Sequence, residues 1–521
     1  MKKKKKQKNK IDISEIFGRE ITYVYLLVMF GLFPVFYPGH LIGIHSVKSS
    51  FFTAASAVYI CLLAIPLISQ ITLITKQHRN IKPNLISGFA ILFLVSVAIS
   101  TLAALNKENA IYGNDNIKTG AIVLAFCGIA YFTVKKYARC NRTLVLVNLA
   151  ASAFIYLSGI FLTCQMDILN MQKNIIDAQK IAFISPIGNV DFNVSYISLM
   201  LPAAMVMFLT CRETMLRYLL AVSVYLGFMD SFCVRTDSGI ILMLFLIVLL
   251  LYFALEKEQW LESYIILIQI FCAANISTYL LKTILQGHMY PFSGLALYLL
   301  RIETVILELI LFALLFWIRK RNKVPGTEKL LSIQKYYKRI GLSLFAVGIV
   351  WILISNLFLR EQLTGTVWGA FLLQDSLFNY RGYIWIRSIK EFAKLPLVNQ
   401  LFGCGAGCFI DFIYPSYGTE MIETFQAAFY EPHNDFVQVL ITTGIAGVIG
   451  YFGMIFGTIV TAFKKRKERN LQMIVIMVLA AYLLQGLVNS YTIFVIPLVF
   501  IIMGMAGSES VAEEGFEKGR K

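Results

Sequence analysis

Apolar runs of about 20 residues recur along the whole chain, each long enough to cross a ~30 Å hydrocarbon core as a helix. About fourteen such runs can be placed, centred near residues 29, 63, 95, 127, 154, 201, 224, 247, 271, 305, 349, 449, 480 and 499. The pattern predicts an all-α polytopic membrane protein of about 14 transmembrane helices (12–14). Most polar connections are short. The exceptions are a linker near 319–339, an outer loop near 166–191 and an outer segment from Arg360 to His433. The expected division is a basic cytoplasmic N-terminus at 1–20 and a helix bundle of about 11 spans at 21–358. A large extracytoplasmic loop with amphipathic helices follows at 359–433, then C-terminal spans at 434–507 and a cytoplasmic tail at 508–521.

Composition agrees with this pattern. The 521 residues are 58% hydrophobic and 15% charged, with a mean hydropathy of +0.70, which excludes a soluble globular class. The formal net charge of +17 raises the question of nucleic acid, but its distribution answers it. Lys and Arg gather in alternate connections: "MKKKKKQKNK", "KQHRNIK", "KKYARCNR", 319–339, "KKRKERN" and "EKGRK". Placing these inside satisfies the positive-inside rule, makes both termini cytoplasmic and requires an even number of spans. The basic N-terminus then sits against anionic lipid, and no nucleic-acid partner is expected. The first apolar run is long and lacks a small-residue cleavage site, so it reads as a span. The nine cysteines are mostly scattered singly. Cys404 and Cys408 in "FGCGAGCF" admit either a disulfide or two free thiols, and no metal site is expected.

The Arg360–His433 segment holds the densest cluster of Trp, Gly, Arg and carboxylates, which in a loop of this length points to function. Within it "NYRGYIWIRSIKEFAKLP" has helical periodicity and ends at Pro396. Arg387 and Glu391 stand at i,i+4 on its polar side. Arg381 shares the apolar side with Trp385, so its guanidinium needs an anion there: a phosphate, or a loop carboxylate such as Glu420 or Glu423. Glycines 403, 405 and 407 permit a tight turn with backbone N–H groups free for an anion. In "EPHNDFVQVL", Pro432 suits the first turn of a helix, which places His433 and Asn434 at the mouth of the next span. The helix dipole there keeps an imidazole neutral, as a general base must be. Asn434 is placed to orient a partner, with Gln438 one turn below.

Taken together, Arg381, Trp385, Pro396, Gly403/Gly405/Gly407, His433/Asn434 and Gly444/Gly447 resemble, in order and spacing, the signature region of the O-antigen ligase/polymerase family of bacterial surface-polysaccharide assembly. The resemblance implies a metal-independent, cofactor-free glycosyltransferase that uses a polyprenyl-diphosphate-linked saccharide on the outer face of the cytoplasmic (inner) membrane. It implies that His433 is the catalytic base, with arginines holding the diphosphate and Asn434, Trp385, Gln438 and Gly405 in support. The expected partners are the lipid-linked oligosaccharide, membrane lipids and other polysaccharide-assembly proteins. One departure is visible. Family members carry an arginine between Ser and Gly at the outer end of a middle span, whereas "FCVRTDSGI" puts Arg235 ahead of Ser238 and Gly239. Arg235 is the second candidate for the diphosphate.

Arg301 is the third, in "YLLRIETVILELILF", where it also lies seven residues from Glu308 on one helix face and within pairing reach. Gln485 and Asn489 form an i,i+4 polar pair near the outer end of a late span. The leading expectation is a polymerase of lipid-linked repeat units for a capsule-like or O-antigen-like chain. A ligase that moves finished glycan to another acceptor would show the same motifs. A lipid-linked oligosaccharide flippase would show the same span number, together with an internal repeat that this chain lacks.

Overall fold

The computed structural model describes residues 13–77, 84–321 and 325–508. The run of lysines before residue 13, the His78–Lys82 part of one basic connection and the tail beyond Ser508 lie outside the described residues. Among the described residues the regular structure is helical, apart from one short antiparallel hairpin, Phe183–Ser185 with Gly188–Asn189. Each of the apolar centres read from the sequence falls within a helix.

Among the described residues ten helices are long and apolar enough to cross a membrane, as in a multi-pass membrane protein. The expectation of about fourteen differs for identifiable reasons. Ala121–Tyr137 and Asn470–Gly486 reach only 17 residues and Ile496–Ala506 only 11. Ile302–Lys320 carries Glu303, Glu308, Arg319 and Lys320. The 319–339 linker is also shorter than expected, because Thr327–Leu357 is one continuous helix.

Two packing relationships position the site. The Asp435–Lys465 helix lies along Leu85–Ala103. The approach is close because a Cβ on Gly450 would stand 2.5 Å from the Phe93 backbone nitrogen, so glycine is needed there. The Val190–Thr210 helix is almost wholly enclosed and packs against Asn470–Gly486, which brings its first turn beside the residues that follow Gly486. At the other end of the bundle the basic connections are tied by the ion pairs Arg139–Glu20, Arg142–Glu213 and Arg466–Glu256. Basic ends and the motif-bearing loop thus occupy opposite ends of the same helices, as alternation along the chain requires.

Candidate active site

The loop between the spans is itself folded. Leu377–Phe392, Leu397–Phe402 and Phe409–Phe425 are helices. Tyr383, Ile384 and Phe392 on the first pack against Phe409, Ile413 and Met421 on the last, and against Val437 and Ile441 at the head of the Asp435–Lys465 helix. This amphipathic underside seats the loop on the bundle. Phe378, Asn379 and Tyr380 adopt left-handed backbone angles, so the regular helix starts at Arg381. Arg387 does not pair with Glu391. It reaches Asp375 at 2.9 Å and Glu420 at 2.7 Å and lies on the Tyr383 ring, while Glu391 binds Lys394 and Tyr417. Glu420 takes Nε and Nη2 and Asp375 takes Nη1, so together the two carboxylates use the three nitrogens of the fork. Pro396 is the cap residue of Leu397–Phe402, three residues beyond the end of the preceding helix cap at Ala393.

Trp385 donates its indole Nε1–H to the Pro432 carbonyl at 2.8 Å. Pro432 is not in the first helical turn, as the sequence suggested, but in the irregular segment that leads to it. The helix starts at Asp435, and Asn434 is its cap, accepting from the Val437 N–H at 3.0 Å. The Asn434 amide also donates to the Leu487 carbonyl at 2.9 Å. Both ends of that side chain are engaged by backbone, so Asn434 positions the chain at the mouth of the helix. His433 stands immediately before it with φ +51°, a left-handed conformation costly for a residue with a Cβ.

The strain aims the imidazole. Its Nδ1 edge is buried and faces Glu431 Oε1 at 3.5 Å, longer than a good hydrogen bond, while 28% of the side chain is open. Burial and then the Arg381 charge lower the imidazole to about 4, with Asp191 acting the other way. Burial, with Asp191 adding and Arg381 opposing, raises the Glu431 carboxyl to about 8. Neutral pH therefore finds a neutral imidazole beside a largely protonated carboxyl. The cause of the neutrality is desolvation and a neighbouring cation more than the helix end invoked from sequence.

Arg381 is held by neither Glu420 nor Glu423. Its Nη2 donates to Asp191 Oδ2 at 2.9 Å and to Asn489 Oδ1 at 3.1 Å. Among the described residues no hydrogen-bond partner is recorded for its Nε or Nη1, so part of the fork is left for another anion. Asp191 lies in the first turn of Val190–Thr210, and nothing local in the sequence marks it. Glu431 was legible in the motif, two residues ahead of the histidine.

Arg235, also left-handed at φ +61°, has all three guanidinium nitrogens buried without a hydrogen-bond partner, and its ring contact is Tyr290 at 4.8 Å. Burial lowers it to about 10, which still leaves it charged. It is linked towards Arg381 through the Val190–Thr210 helix. Asn193 donates to Asp230 at 2.8 Å on the Arg235 side, and Asp191 holds Arg381 two residues earlier. Arg301 stands apart from these. It is exposed at the cap of Ile302–Lys320, lies over Tyr298 and does not pair with Glu308, which instead accepts from Asn275 at 2.7 Å. The cap position turns Arg301 out of the helix face that Glu308 shares.

The glycine turn packs against a kink in the next span. Gly444 interrupts the Asp435–Lys465 helix at φ +70°, and the carbonyls of Ile441 and Thr442 accept from the N–H groups of Cys404 at 2.9 Å and Gly405 at 3.1 Å. The Cys404 and Gly405 N–H groups are therefore taken by the kinked helix, and that of Gly403 by the Asn399 carbonyl. Gln438 is buried one turn below Asn434, its Oε1 without a partner. Cys404 and Cys408 are free thiols.

Residues 288–452 match the family model described as O-antigen ligase. The resemblance read from the motifs is thus shown for this region, under a third of the chain, which includes Arg301, Arg381, Trp385, Gly405, His433, Asn434 and Gln438 but not Arg235. No curated protein matches the chain. Members of this family are glycosyltransferase-like ligases and polymerases, and the match supports an enzyme of the O-antigen ligase/polymerase type.

Proposed function

We propose that the chain is a membrane glycosyltransferase that polymerises polyprenyl-diphosphate-linked oligosaccharide units into a bacterial surface polysaccharide, on the outer face of the cytoplasmic membrane. The observation that carries this reading is the partly open, neutral His433 imidazole set within the field of a half-engaged arginine. An acceptor sugar hydroxyl attacks the anomeric carbon and forms the new glycosidic C–O bond. The anomeric bond to the diphosphate breaks, and the polyprenyl diphosphate leaves with the electron pair. The hydroxyl proton passes to His433 Nε2, while Nδ1–H faces the Glu431 Oε1 oxygen. Arg381 and the unpartnered Arg235 hold the diphosphate charge as it develops. A bound diphosphate offsets the Arg381 charge that depresses the imidazole and lifts it towards the range a base needs. Arg301, exposed at the loop end of its helix, is kept as a contact for the donor's outer phosphate or sugar. The proposed topology keeps both termini cytoplasmic, with the 359–433 loop outside and no metal or cofactor in the transfer.

The second reading is a ligase that moves finished glycan to another acceptor, favoured by the description of the matching family. One experiment separates them. His433→Asn is placed in the native host, and the surface glycan and the lipid-linked pool are sized on gels. Single units accumulating on lipid, with long chains lost, is the polymerase result. Long chains stranded on lipid is the ligase result. Wild-type pools with the variant protein present would remove His433 from the chemistry.

A further inference from the structure

Far from His433, at the basic end of the Asp435–Lys465 helix, lies a cavity of about 380 Å³ lined by Lys135, Lys465 and Arg469 and, among the described residues, by no Asp or Glu. It opens between that helix, the start of Leu85–Ala103, the end of Ala121–Tyr137 and the end of Ile496–Ala506. Among the described residues none of its three cations forms an ion pair. Lys135 Nζ donates to the Ser87 hydroxyl at 2.7 Å and Arg469 Nη1 to the Ser508 carbonyl at 3.0 Å, both uncharged acceptors. Three other basic residues at this end carry ion pairs, Arg139 with Glu20, Arg142 with Glu213, and Arg466, three residues from Arg469, with Glu256. Arg212, Arg217 and Lys257 instead sit one by one on Gln259, Ser263 and the Trp260 ring, so the convergence of three cations on one cavity is what sets this place apart. Three like charges converging on one cavity repel each other and call for an anion. Asn84, at its wall, caps the Leu85–Ala103 helix, whose positive dipole end adds to the field. Ile86 and Met503 give the cavity an apolar side as well.

We propose that this cavity binds a phosphate group, supplied in the membrane by the headgroup of an anionic phospholipid in the leaflet opposite the active site. The cations take the phosphate oxygens, and the apolar side accepts the glycerol and the start of the acyl chains. A free phosphate would use the same cations but leave the apolar side uncovered.

The test uses the full-length chain purified in detergent and titrated with phosphatidylglycerol or phosphatidylcholine, with lipid retention read by native mass spectrometry. Wild type should retain phosphatidylglycerol in preference to phosphatidylcholine. Lys465→Ala with Arg469→Ala should weaken that retention about thirtyfold, at ~1 kcal/mol per cation. The charge-preserving pair Lys465→Arg with Arg469→Lys should retain it. Lys135→Gln alone should weaken it about fivefold, which reads the site even if the double alanine variant misfolds. Inorganic phosphate should fail to displace the lipid. If it displaces the lipid and raises the melting temperature by itself, the phosphate site stands and its source is the free anion. Equal retention by wild type and both neutralised variants, or no preference for the anionic lipid, would overturn the proposal.

Discussion

Trp385 and Pro432 are joined by an indole-to-carbonyl hydrogen bond of 2.8 Å, so a ring on the loop helix holds the residue immediately before the histidine. The bond crosses 47 residues of sequence and fixes the approach of the chain to the Asp435–Lys465 helix. Trp385→Phe keeps an aromatic ring and removes only the donor. It should cost about 1 kcal/mol of stability. Transfer should fall about tenfold or more, because the base is displaced from its attacking geometry. Melting in detergent and a glycan-transfer assay read the two effects separately. Unchanged transfer would show that Trp385 is packing alone.

His433 occupies a left-handed backbone position that Asn adopts more readily than other residues bearing a Cβ. His433→Asn should therefore abolish transfer with a melting temperature close to wild type. His433→Ala should abolish it too, at an additional cost of about 1 kcal/mol. Residual transfer in both variants near the wild-type rate would rule out a base at this position.

Glu431, raised to about 8 by burial, binds its proton more tightly folded than unfolded. Its contribution to stability is present below about 4.5 and is lost as pH rises through 8. Glu431→Gln should remove that slope, so the variant gains on wild type as pH climbs between those values. His433 acts at the other side. Lowered to about 4, it costs stability as pH falls from the ordinary imidazole range through 4. Melting temperature against pH for both proteins checks the signs, and parallel curves would exclude Glu431 as the titrating group.

Asp191 is the counter-ion of Arg381, at 2.9 Å. Asp191→Asn leaves the guanidinium more available to a diphosphate. The KM for a lipid-linked donor should fall. The kcat should fall as well, because the polyprenyl diphosphate leaves more slowly. Arg381→Ala should raise KM. Steady-state kinetics with a lipid-linked donor decide it, and an unchanged KM in Arg381→Ala would remove that arginine from donor binding.

Gly444 combines φ +70° with a position where a Cβ would lie 2.4 Å from the Leu401 carbonyl. Gly444→Ala must either straighten the helix or push the glycine turn away, and both forfeit the bonds from Cys404 and Gly405. A loss of about 3 kcal/mol or more is expected, seen as a lower melting temperature and reduced yield of folded protein.

Hydropathy is a local property, and it was enough to place the apolar helices and the long loop between spans, while the order and spacing of a few residues gave the motif around His433. A helix satisfies its own backbone within one segment, so its existence needs no knowledge of what lies across the bundle. The partners of charged groups are another matter. That Arg381 meets Asp191 and Asn489, that Arg387 passes over Glu391 for Asp375 and Glu420, and that Arg301 misses Glu308 depend on helices distant in sequence. The glycine turn shows the same division: its flexibility is written in the residues, but the bonds from Cys404 and Gly405 to a kinked helix depend on that helix lying beside it. An unpaired ion in a poorly solvated place takes whichever counter-charge the packing brings within about 4 Å, and packing is decided by the whole fold.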